Sequence, residues 1–429
     1  METSTVLTSQ IALFSYPQRR EPPMSMPSAV RHINEVRVLD VVFRHGRVSR
    51  ANIAKELDIT RSTASSIVAS LAEEGLLVED NSEDDKSAGT GRPGTFVRLN
   101  PYHALFLGAD IGVGRITVVA LDFAGTIVTE RHFPLESGKY APEFLLRKLA
   151  GHVGDVVKPF AGTYNVAGLC VTVPGVIDRS GTVLRAPFLG WRKVPILDGL
   201  SALLPDLPVI VVENDANAFA IADGYQGDAG PSDAEIHIFL DAGIGGAIVT
   251  GGHILRGQDG YAGEFGHMIL GDKGFVEVAT LSGSFESFIG RDAILARHRH
   301  HGGAAGTIEA FREKAEAGEP AAMAAIGDWS FYLARGLAII SSIFNPSRIV
   351  LGGPVAGLFQ LCEENVIRNI RSNLLDDHPV PQISLSRLGL EGPALGGASM
   401  LHRNALSVNE GLVFRTGQPA SGRGRARVQ

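Results

Sequence analysis

Three short runs place hydrogen-bonding side chains at spacings that could do chemistry. Asn214 and Asp215 stand in Glu213-Asn214-Asp215-Ala216-Asn217, Glu264 and His267 in Gly263-Glu264-Phe265-Gly266-His267, and Glu286 in Gly283-Ser284-Phe285-Glu286. Ionised carboxylates accept hydrogen bonds in pairs, while an amide and an imidazole both donate and accept. A small molecule with adjacent hydroxyls, each able to do both, is the natural partner, and a sugar is the expectation. Singly, each residue has a plainer use. Asp215 can cap the helix after it, and His267 can satisfy a loop carbonyl. Five such residues together point to ligand binding.

A second constellation lies near the amino terminus. Ile33, Val36, Leu39, Val42 and Phe43 recur at helical spacing and stop at Gly46, which predicts a first helix. Ser49 is placed to cap a second, with Ile53, Ala54 and Leu57 inward, and Arg50 follows the cap. Asp58 stands at the turn, where it tolerates the left-handed region. Thr60 then caps a third helix through Ala72, buried along Ala64, Ile67, Val68 and Leu71 and ended by Gly75. This is a helix-turn-helix with the third helix as reader. The exposed start of that helix carries Arg61, Ser62, Thr63, Ser65 and Ser66, suited to base edges and phosphates.

Leu76–Val78 and Thr95–Leu99 read as strands around a polar loop, hence a wing. Arg92, in Gly91-Arg92-Pro93-Gly94, is placed to enter a minor groove. From Arg31 to Arg61 seven basic residues face four acidic ones, and the acid run Glu79 to Asp85 is expected to swing away from phosphates. A serine-rich solvated face is the plainer reading of the third helix alone. The wing shifts the expectation to DNA.

Downstream of Phe106 the elements needed to position the polar set can be read in outline. Strands are predicted at 106–111, 116–122 and 127–133, a helix at 142–157 and a strand at 166–171. The scheme recurs with strands at 236–240 and 247–250, a helix at 321–344 and a strand at 348–351. Interleaved strands and helices give an α/β body with a repeated half. The bulk properties agree: 429 residues, 45% hydrophobic, 20% charged and a net charge of −7, so any DNA contact is local. Only Cys170 and Cys362 occur, which leaves no disulfide framework and suits a reducing cytoplasm. No apolar run is long enough for a membrane span. Residues 1–29 lack a secretory layout and, like 406–429, read as flexible tails.

The blocks Val173-Pro174-Gly175-Val176-Ile177-Asp178, Ala186-Pro187-Phe188-Leu189-Gly190-Trp191, Asp241-Ala242-Gly243-Ile244-Gly245-Gly246 and Asn345-Pro346-Ser347-Arg348-Ile349-Val350-Leu351-Gly352-Gly353 add to the ligand runs. In this order, over roughly residues 30 to 400, the chain resembles the ROK family, which unites sugar kinases and sugar-responsive repressors. The resemblance implies a winged helix-turn-helix (30–100) followed by a two-lobed, actin-like or hexokinase-like body. Its first lobe is expected at 101–225 and its second at 226–405, with the closing helix around 394–398 returning to the first lobe. In the family's kinases the residue matching Asp215 is the general base, and those matching Asn214, Glu264, His267 and Glu286 hold the sugar.

Two departures from the kinases stand out. Their zinc loop begins at the residue matching His267, but Glu277, Ala279 and Ser284 replace its cysteines. No zinc is expected, His267 is left to the ligand, and packing of Phe275, Val276, Val278 and Leu281 must order the loop. The phosphate turns also differ. Asp110-Ile111-Gly112-Val113-Gly114-Arg115 lacks a hydroxyl, and Asp241-Ala242-Gly243 stands where Gly-Thr-Gly is usual, so ATP is not expected. The resulting expectation is a cytoplasmic, sugar-responsive repressor. It would be a homodimer or homotetramer on an inverted-repeat operator, with no membrane contact and no catalytic residue. The alternatives are an active sugar kinase carrying a DNA-binding head, and a regulator whose effector is a partner protein.

Overall fold

The computed structural model of the protein describes residues 26–80, 95–136, 140–178, 180–226, 234–278 and 280–407, except for the side chains of 26–29. Among the described residues, one compact unit holds 26–100 together with 403–407, and a second holds 101–402. The first contains α1 (Met26–His45), β1 (Val48–Ser49), α2 (Arg50–Glu56), α3 (Arg61–Glu73), β2 (Leu77–Asp80) and β3 (Phe96–Leu99). Ser49 Oγ accepts the Asn52 amide at 3.2 Å and Thr60 Oγ1 accepts the Thr63 amide at 3.1 Å, so the predicted caps start α2 and α3. Asp58 has φ 53° and turns the chain between them. Ile53, Ala64, Ile67, Val68 and Leu71 are buried, as are Val36, Leu39 and Val42 of α1.

Two features of this unit differ from the sequence expectation. Helix α1 reaches back to Met26, into the stretch read as a tail. Pro27 does not prevent this, because a first-turn proline lacks only an amide that would have no partner there. The wing has a third strand: β1 pairs with β3 in register Val48↔Val97, in the order β1-β3-β2. Two residues carry no alternation to read. Thr60→Ala should lower the stability of this unit by about 1 kcal/mol, read as a lower thermal midpoint, because the first turn of α3 loses its cap. Ser66→Ala, at an exposed position of the same helix, is the control and should leave the midpoint nearly unchanged.

The second unit begins with β4 (Leu105–Gly112), β5 (Arg115–Asp122), β6 (Ile127–Pro134), α4 (Pro142–Val157), β7 (Val166–Val173), β8 (Val176–Ile177), β9 (Thr182–Ala186), β10 (Trp191–Pro195), α5 (Ile196–Leu203), β11 (Ile210–Asn214) and α6 (Asp215–Gln226). It continues with β12 (Glu235–Leu240), β13 (Ile244–Thr250), β14 (His253–Ile254), α7 (Phe285–Ile289), α8 (Arg291–His300), α9 (Ile308–Glu316), α10 (Pro320–Phe344), β15 (Arg348–Gly352), α11 (Glu363–Ser372), β16 (Gln382–Leu385) and α12 (Gly392–Ala405). None of the described helices is long and apolar enough to cross a membrane.

Its two five-stranded sheets have one topology. In the first, β4, β5 and β6 form an antiparallel meander, β7 lies parallel to β4, and β11 lies parallel to β7. In the second, β12, β13 and β14 repeat the meander, followed by parallel β15 and β16. Each sheet has its own core, one around Leu107, Val118 and Leu169, the other around Ile238, Phe285 and Trp329. Helix α12 lies against the first sheet, and glycines permit the approach. A Cβ on Gly108 of β4 would stand 1.7 Å from the Ala394 carbonyl oxygen, and one on Gly396 would stand 1.7 Å from that of Ala218 in α6.

Candidate functional site

Asn214, Asp215, Glu264, His267 and Glu286 line one cleft of about 200 Å³ in the second unit, with walls drawn from both sheets. Asn214 ends β11 and Asp215 opens α6, so the strand-to-helix turn aims both side chains outward from the sheet end. Asn214, rather than Asp215, caps the helix: its Oδ1 accepts the Asn217 amide at 3.0 Å and its Nδ2 donates to the Gly175 carbonyl at 3.1 Å. Asp215 Oδ1 accepts the Ala216 amide at 2.9 Å, and its second oxygen makes no hydrogen bond among the described residues. Behind them, Glu213 accepts from the Asn214 amide at 2.9 Å, from Asn217 Nδ2 at 3.1 Å and from Arg256.

Glu264 precedes and His267 ends a 3-10 turn, Phe265–His267. His267 is not left to the ligand alone, as the sequence suggested: its Nδ1 lies 3.2 Å from Glu264 Oε2. A three-residue separation brings the two together across one turn, a contact the linear order conceals. Glu286, in α7, is buried and accepts from Thr280 Oγ1. Burial sets the charge of this cluster. It lifts Asp215 to about 7, helped by the Asp110 charge, and Glu264 to about 7, helped by Glu286. Glu286 is raised by burial, and His267 is lowered by burial and by nearby Arg185. Near neutrality Asp215 and Glu264 therefore both donate and accept, which matches hydroxyl partners.

At the turn ends of the two sheets, Arg115 Nη1 donates to Asp241 Oδ2 at 2.9 Å, and Arg291 Nη1 to Asp241 Oδ1 at 3.1 Å. Arg115 Nη2 also lies 3.8 Å from Asp110 Oδ2, and Asp110 accepts from Thr172 Oγ1 at 2.9 Å. Burial lifts Asp110 to about 6 against the pull of Arg115. Asp241 is thus bound by two guanidinium groups rather than being an isolated anion.

Of the residues expected to order the segment after His267 by packing, Phe275, Val276 and Val278 are half-buried, whereas Leu281 is exposed at the cleft. Backbone bonds add order, Leu270 N to Gly283 O at 2.8 Å and Phe275 N to Ser287 O at 3.1 Å. Buried Arg297 adds to this, its guanidinium 4.2 Å from the centre of the Phe275 ring. Ser284 is buried and Glu277 exposed, while Ala279 lies outside the described residues. Among the described residues, no cluster of His, Cys, Asp and Glu could hold a metal ion.

The helical unit places Arg61, Ser62, Thr63 and Ser66 on the exposed face of α3, but leaves Ser65 half-buried. Ser62 and Thr63 hydroxyls each lie 2.8 Å from Thr60 Oγ1, so both also take part in the cap. Arg50 donates to Glu79 at 2.8 Å and Arg47 approaches Asp80 at 3.3 Å. The described part of the acid run therefore binds these arginines rather than swinging away, since the folded wing brings the opposite charges within reach of each other. Arg44 is likewise paired with Asp40 and Glu56. Lys55, Arg61 and Arg98 make no ion pair among the described residues, and Arg98, exposed on β3, had no sequence signal beyond its charge. Arg92 and the rest of the wing loop lie outside the described residues. Arg115, Phe188 and Thr280 were missed as cleft residues, because nothing local in the chain links them to the five.

A ROK family profile matches residues 106–404 and a MarR family profile residues 32–87. The putative xylose repressor of Caldicellulosiruptor sp. (strain Rt8B.4) is 28% identical over 90% of this chain and 99% of its own. The crystal structure of a ROK family transcriptional regulator, a homolog of the E. coli MLC protein, shares the fold with a TM-score of 0.72 at 23% identity, over 90% of this chain and 98% of that one. A ROK family glucokinase from Streptomyces griseus, solved with glucose and AMPPNP, is 26% identical with a TM-score of 0.60, covering 69% of this chain and 98% of its own.

Proposed function

The chain belongs to the ROK family, and from that premise we propose that it is a sugar-responsive transcriptional repressor of carbohydrate-metabolism genes. One observation carries the reading: a single chain joins a winged helix with an exposed Arg61 and Ser66 to a cleft where five polar residues converge. The match to the putative xylose repressor over nearly the whole of both chains supports it, whereas the glucokinase match covers 69% of this chain. Asn214, Asp215, Glu264, His267 and Glu286 hold the sugar, with Thr280 positioning Glu286. Arg61 and Ser66 read base edges. The protein acts in the cytoplasm as a homodimer or homotetramer, since two winged helices read two half-sites. Sugar alters DNA affinity because it binds the DNA-competent and DNA-incompetent arrangements unequally.

A kinase carrying a DNA-binding head is the second reading. Asp215, with a carboxyl at about 7 and one oxygen open, has the properties of a general base. Selection from a random duplex library should enrich an inverted repeat, and D-xylose or another monosaccharide should shift that affinity. Failure to enrich any sequence would overturn the repressor reading. The loop after His267 needs no metal in this account, because its order rests on Arg297 and backbone bonds. Metal analysis of protein purified without added zinc should find far less than one equivalent per chain. A tightly held equivalent would reject that account.

A further inference from the structure

The turns that take nucleotide phosphates in this fold are both covered here by the protein's own side chains. Gly112, the last residue of β4, faces Arg115: a Cβ there would stand 2.9 Å from the guanidinium carbon and 2.8 Å from Asp110 Oδ2. Gly243, after β12, faces Phe188: a Cβ there would stand 2.5 Å from the ring. Both covering residues come from the half of the body that carries the first sheet, and both contact the half that carries the second. Arg115 reaches Asp241 at 2.9 Å with its side chain 12% exposed, and Phe188 lies on the Gly243 backbone.

The charges nearly balance, two guanidinium groups (Arg115, Arg291) against Asp110 and Asp241, with Asp215 also near Arg115. A triphosphate would have to displace a buried guanidinium from its carboxylate and an aromatic ring from the turn. These residues do not fit a magnesium nucleotide.

We infer that Arg115 and Phe188 form a cross-cleft clasp, which sets the spacing of the two lobes where a nucleotide would otherwise bridge them. Arg115 supplies a charged hydrogen bond whose geometry is sheltered from solvent, and such bonds are the stronger kind. Phe188 supplies close packing against a backbone that has no side chain to hold it off. Both act as positioning residues, because the five polar groups of the cleft come from both lobes and meet a ligand only at a set separation. The clasp rests on the repressor reading only in requiring no nucleotide.

The test measures lobe separation in the full chain with spin labels at Thr163→Cys and Ser372→Cys, both exposed and remote from the cleft. Cys170 and Cys362 are buried and leave the labelling selective. Arg115→Met and Phe188→Ala should each lengthen or broaden the label distance by more than about 2 Å, the scale of a hinge rearrangement. Distributions that superimpose on the parent protein in both variants would overturn the clasp. If Arg115→Met does not fold, Phe188→Ala decides alone, since it leaves the charges intact. Phosphoryl transfer by the parent protein would sink the repressor-only reading, whereas an unchanged distance sinks the clasp.

Discussion

Asp215→Asn should weaken monosaccharide binding roughly ten- to a hundred-fold, since a mispaired buried polar group costs about 1–3 kcal/mol. The open oxygen of Asp215 is the group at stake, because the other is committed to the Ala216 amide. DNA binding without sugar should survive, and the sugar-dependent change should need correspondingly more ligand. The same variant has a second signature. The folded-state carboxyl of Asp215 lies at about 7, above its ordinary 3.8, so the native protein holds a proton that the unfolded chain releases. Stability from this group is therefore full below about pH 4 and is lost as pH rises through about 7.

Glu264, also at about 7, and Asp110, at about 6, add in the same direction. Without ligand, the parent protein should lose stability between about pH 4 and pH 7. Asp215→Asn should be nearly neutral at about pH 4 and more stable than the parent at pH 8, by on the order of a few kcal/mol. Thermal unfolding across that range and sugar titration by calorimetry read the two effects separately. Unchanged sugar affinity would remove Asp215 from the ligand site, and a parallel pH profile in both proteins would place its carboxyl in water. Sugar phosphate formed at an ordinary enzymatic rate, and abolished by Asp215→Asn, would instead establish the kinase.

Arg61→Ala with Ser66→Ala should lower affinity for the selected duplex roughly ten- to a hundred-fold and relax the preference at the bases they face. Both side chains stand on the open face of α3, and Arg61 makes no ion pair among the described residues, so its charge is available to DNA without breaking an internal contact. Arg50→Ala should do less, because Glu79 already binds that guanidinium and DNA would have to displace it. Footprinting and binding isotherms at fixed salt measure this, as phosphate contacts depend steeply on ionic strength. Sugar titration of the double variant serves as the control and should match the parent. An unaltered isotherm for the double variant would move the reading surface away from α3.

What the chain determined by itself was the part encoded locally. Ser49, Asp58 and Thr60 specify the caps and the turn of the helix-turn-helix through bonds spanning three residues or fewer, so their types alone predicted them. The runs at 106–111, 116–122 and 236–240 specify strands by apolar content between turn residues, and the duplicated sheet follows from that repeat. The cleft set was legible as well, since Asn214 with Asp215, and Glu264 with His267, sit in short stretches whose chemistry shows in sequence.

Tertiary structure decided how those groups are used. The pairing of His267 with Glu264, the capture of Arg50 by Glu79 and the hold of Arg297 on Phe275 depend on where a turn or a strand pair delivers each side chain. Above all, Asp241 stands where Gly-Thr-Gly is usual, and folding brought Arg115 to it from 126 positions away and Arg291 from 50. Charge–charge energies fall with distance in space, which separation along the chain does not report. A sequence can therefore name the charges of a site, and only the folded chain can say which of them are already satisfied.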